Sequence, residues 1–184
     1  MRYLKVTAQD RSGNGQADTV ILHFYQRCSE GIDELIHETV AVDIDADRKV
    51  DFKFAGDINH DGTCDTVDSL LLKAFANTFL KLNWFNPGES WQRTLVMVGL
   101  YDYPQGPPNR VQLNFLNRRS PLRKPSLIYQ AAGYDVDGNG VVEAFSRIDV
   151  DRNGVVNQSD QELVRHLCNS FLAFKWYEKP RLEE

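Results

Sequence analysis

The sequence has little that a membrane protein, a disulfide scaffold or a thiol enzyme needs. No apolar run reaches the roughly 18 residues that a membrane-spanning helix requires, and the opening "MRYLKVTAQD" lacks the apolar core of a signal peptide. The expectation is a cytoplasmic chain if Met1 is the native start, and an extracellular one if a leader has been removed. The three cysteines, Cys28, Cys64 and Cys168, are odd in number and irregular in spacing, so they make no disulfide framework. Methionine occurs only at Met1 and Met97, too sparsely for the Met-rich groove that a calcium sensor opens. The four histidines show no metal spacing, and there is no Gly-x-Ser-x-Gly, Cys-x-x-Cys or phosphate loop. Acids are abundant, but nothing selects a carboxylate pair for glycoside chemistry. Positive charge is also short: the net charge of −5 disfavours nucleic acid. The patch Arg118, Arg119, Arg123 and Lys124 reads as a solvated loop. With 42% hydrophobic and 11% aromatic residues, the chain can nevertheless bury a core.

What is present in excess is aspartate at regular intervals. Asp57, Asn59, Asp61, Asp65 and Asp68 stand at places one, three, five, nine and twelve of a loop with Gly62 at place six. A hard dication takes six to eight oxygens at about 2.3–2.6 Å. Alternate residues of a curved segment can supply three, the backbone carbonyl of Thr63 a fourth, and Asp65 and Asp68 the remainder. The glycine permits the sharp turn between them. Leu71, Leu72, Phe75, Phe79 and Leu82 then mark one face of a helix within 68–85. Asp65 and Asp68 also suit the capping of that helix without metal, but capping does not account for Asp57, Asn59, Asp61 and Gly62.

The pattern recurs 92 positions later. Asp149, Asp151, Asn153, the Val155 carbonyl, Asn157 and Asp160 repeat the ligand places around Gly154, followed by a second apolar helical face. The same shift carries Asn77 to Asn169, Phe79 to Phe171 and Trp84 to Trp176. The chain of 184 residues thus reads as a duplication with repeats at 1–92 and 93–184.

The stretches "GDINHDGTCDTVDSLLLKAF" and "IDVDRNGVVNQSDQELVRHL" resemble the calcium loop-helix repeats of dockerins and related bacterial EF-hand-like proteins. In that family a helix follows the loop and none need precede it, and here strand-like residues precede both loops. The resemblance covers about 25 residues of each half. It implies calcium as the bound ion and a docking surface on the helix faces, near Thr66, Val67, Gln158 and Ser159. Dockerin repeats lie close together, whereas these are 92 positions apart.

Shorter loops precede the two long ones. Asp43, Asp45, Asp47 and Asp51 hold places one, three, five and nine, with Arg48 rather than glycine at place six. Asp135, Asp137, Asn139 and Glu143 repeat them around Gly140. Their twelfth places, Phe54 and Ser146, are poor closers. Converging carboxylates without a cation repel one another; the alternative is exposed aspartates on a loop. Asp10, Ser12, Asn14 and Asp18 follow the same spacing, with Ile21 at place twelve, and resemble the calcium loops of integrin-type propeller repeats. A plain Gly-Asn hairpin turn is equally open there.

Strands are expected at 2–8, 19–26, 50–54, 94–100 and 110–117, and a short helix at 30–37. A turn-rich link occupies 86–92, and residues 101–109 match the first loop in place without its ligand spacing. Cys64, at place eight, reads as a small buried hydrophobe, and His60 as outward-facing. The aromatic helix ends, Trp84 with Phe85 and Trp176 with Tyr177, are assigned to a shared or repeated core. The expected fold is α+β: two pseudo-twofold halves, each a β-hairpin, tandem calcium loops and one long helix. The expected function is that of a non-enzymatic calcium-binding protein whose loops are structural and support protein association. The alternatives are a calcium-dependent adhesion module, a sensor or a hydrolase.

Overall fold

The computed structural model describes residues 1–28, 31–86, 89, 91–102 and 106–178. Parts of the 86–92 link, of the 101–109 connection and of the segment at 30–37 lie outside them. The fold is α+β: one antiparallel sheet of eight strands and two helices. The strands are β1 (Arg2–Gln9), β2 (Thr19–Arg27), β3 (Asp33–Val42), β4 (Phe52–Phe54), β5 (Arg93–Leu100), β6 (Arg110–Asn117), β7 (Ser126–Tyr134) and β8 (Ala144–Phe145). Their order across the sheet is β4-β3-β2-β1-β5-β6-β7-β8, so β1 and β5 join the two halves of the chain at the centre. The edge strands are only three and two residues long, which limits the unpaired backbone open to other chains.

Helices α1 (Thr66–Phe79) and α2 (Gln158–Ala173) pack on one face and touch each other. That face carries Leu4, Val6, Leu22, Phe24, Leu95, Met97, Leu113 and Phe115, alternate residues of the four central strands, all fully buried. They meet Leu72, Phe75, Leu167 and Phe171 from the helices in one continuous core. Fully burying a side chain of this size stabilises the fold by ~1.5–3 kcal/mol.

The helix expected at 30–37 is instead the start of β3. Ile32, Leu35 and Ile36 would line one helical face, but they remain exposed. The run Glu38–Val42 is β-branched and alternates, and it pairs with the otherwise open edge of β2. The register slips at Phe24/Tyr25, where Ile36 is the extra residue, and again at Phe115/Leu116, where Ile128 is. The first long helix also ends earlier than its apolar spacing implies. Leu80 caps it, Leu82 is extended, and Asn83–Phe85 form a separate 3-10 turn. None of the helices is long and apolar enough to cross a membrane, among the described residues.

Candidate metal centres

Five loops share one backbone conformation. In each, places four and six have positive φ: Gly13 and Gly15, Ala46 and Arg48, His60 and Gly62, Gly138 and Gly140, Arg152 and Gly154. Left-handed backbone of this kind costs an L-residue other than glycine roughly 1–2 kcal/mol, so a geometry kept at Ala46, Arg48, His60 and Arg152 is imposed by the loop. The side chain at place one imposes it. Its second oxygen accepts the place-six N–H in every case, from Gly15 to Asp10 (2.7 Å), Arg48 to Asp43 (2.7 Å), Gly62 to Asp57 (2.9 Å), Gly140 to Asp135 (2.8 Å) and Gly154 to Asp149 (2.8 Å). Its first oxygen accepts the place-five N–H. The place-five side chain then accepts from place seven.

The closing carboxylate differs between long and short loops. In the long loops it is place twelve. Asp68, fully buried, accepts the N–H groups of Ile58 (3.0 Å), Asn59 (3.2 Å) and Asp65 (2.8 Å). Asp160 accepts those of Val150 (2.8 Å), Asp151 (3.3 Å) and Asn157 (2.8 Å). In the short loops place nine takes over. Asp51 accepts from Ile44 (2.7 Å), Glu143 from Val136 (2.9 Å), and Asp18 from Arg11 (3.1 Å) and Ser12 (2.8 Å). Place nine of the long loops is instead an N-cap: Asp65 accepts from Val67 (2.7 Å) and Asn157 from Ser159 (2.6 Å), each completing a capping box with Asp68 or Asp160.

Three groups of carboxylates converge among the described residues: Asp43 with Asp45 and Asp51, Asp135 with Asp137 and Glu143, and Asp149 with Asp151 and Asp160. In each, one oxygen per residue lies within 4.8 Å of the others. Two oxygens on one calcium at about 2.3–2.6 Å can be no farther apart than the sum of the two bonds, so this spacing fits a shared ion. The donors are all oxygen, which suits a hard dication. A carboxylate offers about four lone-pair sites, so accepting N–H bonds leaves sites for a cation. The Asp57 loop, the fullest match by sequence, does not form such a carboxylate group. Its third place is Asn59, whose amide donates to Asp61 (2.9 Å) and whose oxygen accepts the Asp61 N–H (2.9 Å). Asp47 lies outside its group and pairs with Lys49 at 3.4 Å. Asn139 and Asn153 donate to their neighbours Asp137 and Asp151. The Val155 carbonyl accepts from the Asn157 amide at 3.3 Å, and Thr63 donates both N–H and hydroxyl to Asp61.

The electrostatics of the groups are those of crowded acids. Burial raises the Asp151 carboxyl, and the negative charges of Asp149 and Asp160 raise it further. Burial also pushes Asp149 up, but N–H groups of Gly154, Asn153 and Arg152 and a hydrogen bond with Asp151 outweigh it and hold that carboxyl down. Burial leaves Asp43 above its ordinary range despite three N–H donors.

Two expectations fail in these loops. Cys64 is exposed, and so is its counterpart Val156, because place eight of the long loops faces away from the core. The buried place-eight residues are those of the short loops: Ala17, and Val50 and Val142, the latter two both 2% exposed. His60 is not outward-facing. It stacks on Trp176 at 4.4 Å between ring centroids and meets Phe24 edge-on at 5.3 Å. The corresponding Arg152 lies over Trp84 (5.4 Å) and Tyr129 (4.7 Å). Each long loop thus touches the tryptophan that follows the other half's helix.

Asn77 and Asn169 were not among the expected site residues. They accept the N–H of Val50 (2.7 Å) and Val142 (2.9 Å) and tie each short loop to its helix. Their only trace in the sequence is the 92-residue shift that pairs them. Comparison with protein-family models, with curated proteins and with solved structures gives no match to this chain.

Proposed function

We propose that this chain is a non-enzymatic calcium-binding protein in which the ion is structural and holds a surface for protein association. The resemblance of residues 56–75 and 148–167 to dockerin-like and EF-hand-like repeats supports this reading. The observation that carries it is the shared loop geometry, with positive φ at places four and six and a closing carboxylate on the place-two N–H. That geometry gathers three acids in three loops. The pseudo-twofold organisation belongs to the same proposal. It is supported by the exchanged contacts His60–Trp176 and Arg152–Trp84 and by the matching bonds Val50–Asn77 and Val142–Asn169.

Converging carboxylates are stable together when neutralised, so folding is coupled to metal. A site at ~1,000 times its dissociation constant adds about 4 kcal/mol, comparable with the whole stability of a small domain. The test is a thermal melt of EDTA-stripped protein titrated with calcium and, in parallel, magnesium. A large rise with calcium that Asp43→Ala, Asp135→Ala and Asp149→Ala together abolish is the expected result. No shift with either ion would leave the loops as hydrogen-bonded turns and end the proposal.

A second reading, a calcium-dependent adhesion module, is favoured by exposed apolar residues at the start of α1. Val67 is 50% and Leu70 61% exposed. A partner captured in calcium, released by EDTA and lost in Val67→Asp would select it over a static scaffold.

A further inference from the structure

The face of the sheet opposite the helices holds a cavity of about 520 Å³ over β1, β5 and β6. A straight row of paired residues crosses the sheet there: Glu38, His23, Lys5, Val96, Asn114 and Gln130, one from each of six adjacent strands. Lys5 is central in it, half-buried, and opposes Val96 rather than an acid. Arg118, at the end of β6, lines the same cavity. The sequence patch that contains Arg118 is therefore not simply a solvated loop: this guanidinium is half-buried and its Nε is enclosed without a partner.

The carboxylates near these cations are already used, and one Arg118 nitrogen, Nη1, reaches the Pro121 carbonyl at 3.5 Å. Asp33, the one acid lining the cavity among the described residues, is gripped by Arg27 through two bonds of 2.8 and 3.2 Å and by the Tyr3 hydroxyl. Glu38, at the end of the row, is paired with His23 at 3.0 Å. No carboxylate pairs with Lys5 or Arg118 among the described residues. The Asn114 oxygen accepts from both Gln112 (2.8 Å) and Gln130 (2.7 Å), so the group it has left to offer is its amide N–H₂. Lys5, Arg118 and Asn114 therefore present donors only, beside the apolar surfaces of Val96 and Leu116. Burial lowers the Lys5 ammonium from its ordinary range, and the positive charge of Arg118 lowers it further. Two like charges partly withdrawn from water without a counter-charge are unfavourable in the fold itself. A bound anion removes that penalty.

We infer that this cavity binds a small organic anion, with a carboxylate or phosphate held by Lys5, Arg118 and Asn114 and an apolar body lying on Val96 and Leu116. The inference uses none of the loop residues and stands apart from the calcium proposal. The test is a chemical-shift titration of the ¹⁵N-labelled full chain, in calcium-containing buffer, with benzoate, phenyl phosphate and neutral benzamide. The expected result is saturable shifts at the amides of Lys5, Val96, Asn114 and Leu116 with at least one of the two anions, and much weaker ones with benzamide. Tighter binding of phenyl phosphate would assign a phosphate headgroup, and tighter binding of benzoate a carboxylate. Lys5→Met and Arg118→Met should each weaken binding about tenfold, the loss expected of one charge-assisted hydrogen bond. Lys81→Met, an exposed cation elsewhere, should leave it unchanged. The comparison of the two anions with benzamide needs no variant, so a misfolded mutant does not blunt it. Affinity for benzamide equal to that for the tighter-binding anion, no saturable shift with either anion, or full affinity in a folded Lys5→Met chain would overturn the inference.

Discussion

The Asn77 side-chain oxygen accepts the backbone N–H of Val50 at 2.7 Å, across 27 residues of chain. Val50 is almost fully buried, so its N–H cannot turn to water if this partner is lost. An unsatisfied buried donor costs about 1–3 kcal/mol. Asn77→Ala should therefore lower stability by that amount in urea denaturation, and Asn169→Ala should do the same through Val142. Because the bond anchors the short loop, amide exchange in Asn77→Ala should rise over 43–51 before it rises over 57–65. Uniform loosening of both loops would show that Asn77 acts only through general helix stability.

The short loops close at place nine, which sets up a clean contrast in the second half. Glu143 holds the Val136 N–H, whereas Ser146, at the nominal twelfth place, is turned to the backbone of Ala132 and accepts its N–H at 2.8 Å. Glu143→Gln should cut the calcium-induced rise in melting temperature. Ser146→Ala should lower the baseline melting temperature through the lost bond, worth about 1 kcal/mol, yet preserve the calcium increment. An increment that falls in Ser146→Ala and survives in Glu143→Gln would restore place twelve as the closer.

Arg48 sits at φ 67° where the other four loops have glycine. Relief of that conformation is worth roughly 1–2 kcal/mol, offset by the ~0.4–1 kcal/mol of extra unfolded-state freedom that glycine brings. Arg48→Gly should leave metal-free stability unchanged or raise it slightly, despite losing the 3.4 Å bond to Asn83. It also removes a cation from a loop of four aspartates, so calcium should bind more tightly. Urea denaturation of the metal-free chains measures the first effect, and calorimetric titration with calcium the second.

The parts of this fold that were legible in the sequence are those set by local chemistry. The loops could be located because the turn needs a given residue type at each place, and the hairpins β1–β2 and β5–β6 because their residues alternate. The Asp65 cap was visible for the same reason, whereas the return bond from the Asp65 N–H to Asp68 was not. What was hidden depends on distant partners. Ile32, Leu35 and Ile36 carry a helical spacing, and only the open edge of β2 makes that segment a strand. The closing role of Asp51 could not be seen while Phe54 was counted as the twelfth place, because it rests on a hydrogen bond to the Ile44 backbone. Lys5 looks like an ordinary strand lysine until β5 and β6 are placed beside it. His60 lies in a polar loop, and its burial comes from Trp176, which belongs to the other half of the chain.

That contact makes stability depend on pH. Burial lowers the His60 imidazole, and the charges of His37 and Arg2 also lower it, outweighing the Phe174 carbonyl and Asp57, which favour the proton. Burial likewise lowers His23. An unfolded histidine titrates near about 6.5. Between the folded and unfolded values the unfolded chain binds more protons, so stability rises with pH through that window. It is fully present above the unfolded value and is lost as pH falls toward the folded one. Wild-type stability should thus decline from pH ~7.5 to ~5.5, a range above most carboxylate titration. His60→Asn keeps a residue that tolerates the left-handed backbone at φ 55° and removes one of the two titrating groups. The variant should be less stable at neutral pH, having lost the ring stacked on Trp176, but its decline with acid should be shallower. Urea denaturation of both chains at several pH values, with the curves subtracted, isolates this contribution from the acidic loops. Parallel curves would mean that His60 titrates alike in both states and that its packing against Trp176 does not exclude the proton.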